Sequence, residues 1–158
     1  MNFFNASEIL QFAIRIEENG EKIYRRLSQN IDDSKLKEAF TYLADEEVKH
    51  KGTFQEMVSK IEKYQPRESY PGEYFAYLRA YANNIVFFPK KLEKELSQIK
   101  DVASAIDFGI RREVDSILYY LEMKNFTPES QHDVIHKVID EERSHYLKLS
   151  ELKKDYKE

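Results

Sequence analysis

One six-residue pattern occurs twice in this chain, as Asp45-Glu46-Glu47-Val48-Lys49-His50 and as Asp140-Glu141-Glu142-Arg143-Ser144-His145. Each copy places a Glu three residues before a His. Positions i and i+3 of a helix share a face, so each copy directs one carboxylate and one imidazole the same way. Both copies sit mid-way along stretches of helical periodicity. The chain is thereby limited to folds in which two helices turn polar faces toward a common place.

The register of the flanking residues says where those faces point. Leu36, Phe40, Leu43, Glu47, His50, Phe54, Met57 and Ile61 follow one another in steps of three and four, as do Ile135, Val138, Glu142, His145, Leu149 and Leu152. Glu47, His50, Glu142 and His145 therefore occupy slots that the pattern reserves for core. The same register leaves Glu46 and Glu141 to solvent or to groups behind that face. Two further stripes carry a lone carboxylate: Leu10, Ala13, Glu17, Gly20, Tyr24, Leu27, flanked by Ile9, Ile16 and Ile23, and Val102, Ile106, Gly109, Glu113, Ser116, Tyr120, Met123. Gly20 leaves space beside Glu17.

With four Gly and four Pro in 158 residues, the chain reads as all-α, built from long helices. Its length predicts a single domain over residues 1–158. The first helix spans about 7–29 with Ser7 as N-cap. A turn at 30–33 follows, with Asp33 or Ser34 capping a second helix that reaches about 64, before Pro66. Residues 65–100 are rich in aromatics (Tyr74, Phe75, Tyr77, Tyr81, Phe87, Phe88) and predict two short helices, 72–84 and 89–97, that pack against the rest. The third helix covers about 101–125. The fourth is expected to open with Thr127 as N-cap and Pro128 at the first helical position and to run to about 154.

Cysteine is absent, which excludes disulfides, thiolate catalysis and any Cys-ligated iron within these residues. The net charge of -4 is interspersed and no basic block is present, so a nucleic-acid partner is not expected. The longest apolar run, Ile85 to Phe88, is far too short to span a membrane, and Met1-Asn2-Phe3-Phe4 does not open a signal peptide. A cytoplasmic location is expected.

The two halves repeat. Glu17 and Glu113 stand 96 positions apart, with Tyr24 falling on Tyr120; Glu47 and Glu142 stand 95 apart. Two helical hairpins related by an approximate two-fold axis follow. They would bury four carboxylates and two imidazoles, and no core-facing Lys or Arg is evident on these seams. Unpartnered, each carboxylate would cost several kcal/mol in a domain stable by only about 5–15 kcal/mol. Protons or metal ions must neutralise them, and two divalent cations balance four carboxylates. One Glu from each of two helices plus Glu-x-x-His from the other two is the donor set of dinuclear carboxylate bundles.

On the segments Ile16-Glu17-Glu18-Asn19-Gly20, Asp45 to His50, Arg112-Glu113-Val114-Asp115-Ser116 and Asp140 to His145, the sequence resembles the ferritin-like di-iron carboxylate proteins, and among them the rubrerythrin branch. The likeness covers all four core helices. It implies an antiparallel four-helix bundle with a long, partly helical crossover between helices 2 and 3. It further implies two Fe ions, bridged by Glu47 and Glu142, with Glu17 and Glu113 as terminal carboxylates and His50 and His145 on one ion each. Carboxylates with imidazole suit Fe and also Mn. The implied activity is reduction of hydrogen peroxide, or O2, with electrons from a separate donor protein, in a homodimer; the aromatic crossover is a candidate interface. Ferroxidase or iron-handling activity, oxidation of an organic substrate, and a non-catalytic metal-binding bundle are the rival readings. Rubrerythrins proper add a Cys-ligated iron, and a carboxylate three residues after the third-helix Glu; here that position is Ser116.

Four more residues are candidates for supporting roles. Tyr24 and Tyr120 lie on the ligand seams, where core packing with a satisfied hydroxyl is the simpler account and hydrogen bonding to a ligand carboxylate, or electron donation, the other. Asp45 and Asp140 recur at equivalent places and are either carboxylates holding the opposite hairpin's His or solvated charges. His132 and His136 form an i,i+4 pair on the opposite side of the fourth helix from His145, and read as surface residues.

Overall fold

Every long stretch of helical periodicity folds as a helix. The computed structural model describes residues 6–61 and 72–156. Within them run α1 (Ala6–Gln29), α2 (Ser34–Ile61), α3 (Gly72–Ile85), α4 (Pro89–Ser97), α5 (Val102–Met123) and α6 (His132–Asp155), with no strand among the described residues. The expected end of the second helix near 64 lies outside the described residues.

Capping chemistry explains two of the starts. Asp33 accepts from the Leu36 amide at 3.0 Å and opens α2. Asp101 and Ser104 form a reciprocal capping box at the start of α5. Two expected starts differ. Ala6 is already helical, so Ser7 lies within the first turn of α1 and not at its cap. Thr127 does not cap α6: its hydroxyl donates back to the Lys124 carbonyl at 3.1 Å and closes the end of α5. Pro128 then adopts extended backbone, a single 3-10 turn covers 129–131, and α6 begins at His132.

Cross-helix contacts give the directions. Lys35 pairs with Asp155 and His50 with Glu141, so α2 and α6 are antiparallel. Tyr24 reaches Glu113 while Tyr120 reaches Glu17, so α1 and α5 are antiparallel as well. The tight 30–33 turn makes α1 and α2 antiparallel neighbours. It follows that α2 and α5 run the same way. The connection between them must return along the whole bundle, about 40 Å for a helix the length of α2.

Helices α3 and α4 make that return over the α1 and α5 side. Leu78, Ala82 and Ile85 of α3 are buried against one end of the bundle, and Leu92 of α4 against the other. Mid-way, the Asn19 side chain accepts from the Phe87 amide at 2.6 Å and donates to the Phe87 carbonyl at 3.0 Å. Arg112 donates to the Ile85 carbonyl at 2.6 Å and lies 4.5 Å from the Phe87 ring centre. Arg112 is a cation on a core helix that lies off the seam carrying Glu113. It is buried, but it faces the crossover. The aromatics pack as expected at Tyr74, Phe75, Tyr81 and Phe87, whereas Tyr77 and Phe88 are exposed.

The apolar core is divided. One block centres on Leu10, Phe54, Met57, Tyr119, Met123 and Ile139, the other on Ile23, Leu36, Phe40, Leu43, Ile106 and Leu149. Between them lies a polar layer.

Candidate metal centre

All six residues expected from the sequence meet in that layer. Glu17, Glu47, His50, Glu113, Glu142 and His145 are each at most 5% exposed. Each occupies a core slot of its helix, so burying the apolar neighbours above and below carries the polar side chain inward with them. Glu17, Glu47, His50 and Glu142 form one set, and Glu47, Glu113, Glu142 and His145 a second. In each set one donor atom per residue lies within 4.8 Å of all the others. Glu47 and Glu142 belong to both sets, which suits a dinuclear metal site with two shared carboxylates.

Both imidazoles turn Nδ1 into the layer, and both approach Glu142, so these contacts do not follow the two-fold axis. Nδ1 of His50 lies 3.2 Å from Glu142 and 3.5 Å from Glu17. Nδ1 of His145 lies 3.1 Å from Glu142 and 3.6 Å from Glu113. The rings stack with centres 5.6 Å apart. A cation fits this arrangement on a further ground: Oε2 of Glu17, Nδ1 of His50, Oε2 of Glu113 and Oε1 of Glu142 are buried without a hydrogen-bond partner. Unpaired buried polar atoms are costly and rare, and here four converge on one place.

Charge within the layer is arranged around protons. Burial, with Glu17 and Glu142 nearby, pushes the Glu47 carboxyl far above the usual range. Burial beside Glu142 raises Glu113 to about 8. Glu142 behaves oppositely: burial would raise it, but a hydrogen bond from His145 and the charge of the nearby His50 imidazole outweigh that and hold it below the usual range. Burial would lower the two histidines, yet their carboxylate partners push His50 up to about 12 and His145 up to about 10. Without a cation, protons on Glu47, Glu113, His50 and His145 neutralise the layer.

Tyr24 and Tyr120 do both things weighed for them. Each ring is fully buried, Tyr24 stacked on Phe40 at 5.9 Å and Tyr120 tilted against Phe54 at 4.9 Å. Each hydroxyl also donates across the pseudo-two-fold axis, Tyr24 to Glu113 and Tyr120 to Glu17. That bond occupies Oε1 and leaves Oε2 of the same carboxylate facing the layer.

Other expectations shift. Gly20 does make room, but for the carboxyl of Glu47: a Cβ there would lie 2.9 Å from its Cδ. Asp45 and Asp140 hold neither histidine. Both are exposed, Asp45 bonded to Arg25 and Asp140 to Arg143, each at 2.9 Å. The i+3 spacing from Asp140 to Arg143 favours that local pair, and both Asp positions lie two residues before the inward Glu, on another side of the helix. The carboxylate behind His50 is Glu141, 3.0 Å from Nε2. The register had placed Glu141 outside the core, and its position just before Glu142 was the signal for it. His136 is exposed as expected, while half-buried His132 sits 3.1 Å from the Thr127 carbonyl, bracing the turn before α6. Ser116 is buried on the Glu113 face and brings no fifth carboxylate.

Four antiparallel helices, a full-length crossover and two overlapping Glu/His sets define a ferritin-like carboxylate bundle. The rubrerythrin family model matches residues 8–153, and the chain belongs to that family. A solved structure from Thermotoga maritima, described as a ferritin-like diiron-carboxylate protein, is similar at 27% identity over 99% of both chains, with a TM-score of 0.71. A search of curated proteins finds no match.

Proposed function

We propose that this protein is a di-iron redox enzyme that reduces hydrogen peroxide, and secondarily O2, with electrons from a separate donor protein. The observation that carries the reading is the pair of donor sets sharing Glu47 and Glu142 inside an otherwise apolar core. The likeness to the Thermotoga maritima diiron-carboxylate protein supports iron as the metal. Glu17 and His50 would hold one ion, Glu113 and His145 the other, with Glu47 and Glu142 offered to both. A ferrous pair held there would supply two electrons, which with two protons would suffice to reduce one peroxide to two waters.

The chain's own residues determine how that chemistry is hosted. Shared carboxylates from α2 and α6 keep both positions tied to the same pair of helices as charge changes. The Tyr24 and Tyr120 hydroxyls fix the orientation of Glu113 and Glu17. The apolar blocks on either side keep bulk water from the layer, which strengthens every interaction of the ligands within it. No cysteine lies in these residues, so reducing equivalents would come from elsewhere. We further propose a homodimer in the cytoplasm. No described helix is long and apolar enough to cross a membrane.

The test is anaerobic titration of the ferrous-loaded protein with peroxide. One peroxide should oxidise one iron pair without release of O2, and a catalytic reductant should restore the starting spectrum. An unchanged ferrous spectrum overturns the assignment. Oxidation of excess free Fe(II) to a mineral product would point instead to iron handling.

A further inference from the structure

The pseudo-two-fold axis relates the two donor sets, but the groups behind the two histidines do not obey it. Nε2 of His50 meets Glu141 of the opposite hairpin at 3.0 Å. The repeat places Glu46 as the counterpart of Glu141, yet Glu46 bonds to Lys49 on its own helix. Lys49 has Ser144 as its counterpart, which cannot draw Glu141 away. The edge of His145 is met instead by the Tyr42 ring, 6.1 Å centre to centre and nearly perpendicular, with the Lys148 ammonium 4.8 Å from that ring. Tyr42 corresponds to Lys137, which is exposed and offers no ring to pack on His50. Among the described residues no hydrogen bond reaches Nε2 of His145.

We infer that the two metal positions are inequivalent: the Glu17–His50 position fills first and holds its ion more tightly, with Glu141 as its positioning residue. The inference rests on the metal-centre reading above. Once Nδ1 gives its lone pair to an ion, the ring retains its proton on Nε2. Glu141 accepts that proton's hydrogen bond, fixes the ring plane, and makes Nδ1 a stronger donor. Losing such a carboxylate typically lowers metal affinity about 10–100-fold. His145 lacks the partner, because Lys49 competes for Glu46 and Tyr42 occupies the approach. Sequence thus breaks the symmetry at Lys49/Ser144 and Tyr42/Lys137, outside the six ligands.

Zinc(II) is a redox-inert probe for both positions. Calorimetric titration of the full chain should show two unequal steps, and 15N spectra of the histidine rings should show His50 responding before His145. Glu141→Gln should weaken the first step about 10–100-fold and leave the second in place. Glu46→Gln should change neither. Lys49→Ser combined with Tyr42→Lys should free Glu46, open its approach to His145 and strengthen the second step. Retained helical circular dichroism, with the His50 Nε2 resonance shifted in Glu141→Gln alone, separates positioning from damage to the fold. Two equal steps, or a Glu141→Gln titration that matches the parent, would overturn the inference and leave the metal centre standing. A parent protein that takes up no zinc, iron or manganese would overturn the metal centre itself.

Discussion

The polar layer and the two apolar blocks that enclose it are built from the same four helices, often from adjacent turns, yet they act oppositely on stability. Phe40 and Phe54 lie outside the layer on either side and are fully buried among apolar neighbours. Glu47 lies between them, equally buried, with its carboxyl held neutral by its surroundings. The blocks hold the fold together; the layer draws on that stability to keep ligand atoms unpaired and ready.

The largest effect expected from this contrast is on metal binding as a function of pH. Protons on Glu47, Glu113, His50 and His145 must leave when two divalent ions enter. Since the deprotonated groups bind the metal, affinity should rise with pH between 6 and 8, by about tenfold per pH unit for each proton displaced. Calorimetry in buffers of different ionisation enthalpy counts those protons. Affinity independent of pH would mean that the layer is not the binding site.

Truncation in a block comes next. Phe54→Ala should cost about 3–5 kcal/mol in chemical denaturation, whether or not metal is present. The opposite is expected in the layer: Glu47→Leu should raise the stability of the metal-free protein by about 1–4 kcal/mol and abolish the rise in Tm on adding Fe(II). If Glu47→Leu destabilises the metal-free protein as Phe54→Ala does, the contrast between the two regions collapses. Between these extremes, Tyr120→Phe keeps the ring and removes only the hydroxyl that serves Glu17. Its expected cost is about 1–2 kcal/mol, and Tyr24→Phe should match it by symmetry.

The smallest effect separates two glycines. Nothing lies within 4 Å of a Cβ at Gly52, exposed in mid-helix, so Gly52→Ala should stabilise by about 0.5–1 kcal/mol. Gly20→Ala should forgo that gain and weaken metal binding, because its Cβ would displace the Glu47 carboxyl. Denaturation midpoints with and without metal distinguish the two.

The six candidate ligand positions were legible because each interrupts an apolar seam, and a helical seam specifies a face from local spacing alone. The helix directions were legible in part: Pro66 and the long aromatic segment implied a crossover, and its course over α1 and α5 follows once α2 and α5 run parallel. Asn19 and Arg112, which clamp that crossover at Phe87 and Ile85, carried no seam signal, since their partners are backbone groups far away in sequence. Thr127 misled for a related reason. A hydroxyl at a helix junction serves either helix, and the end of α5 claimed it.

By itself the sequence determined the class: all-α, two repeated hairpins, four carboxylates and two imidazoles turned inward, and no thiolate. Those are properties of periodicity and composition, which every residue of a helix expresses locally. Only the tertiary structure decided which of the neighbouring acids stands behind His50. Asp45, Glu46, Asp140 and Glu141 are nearly equivalent along the chain. Lys49 and Arg143 take Glu46 and Asp140 on their own helices, but the reach of Arg25 to Asp45 and of His50 to Glu141 is settled by distances between helices, which no local pattern contains.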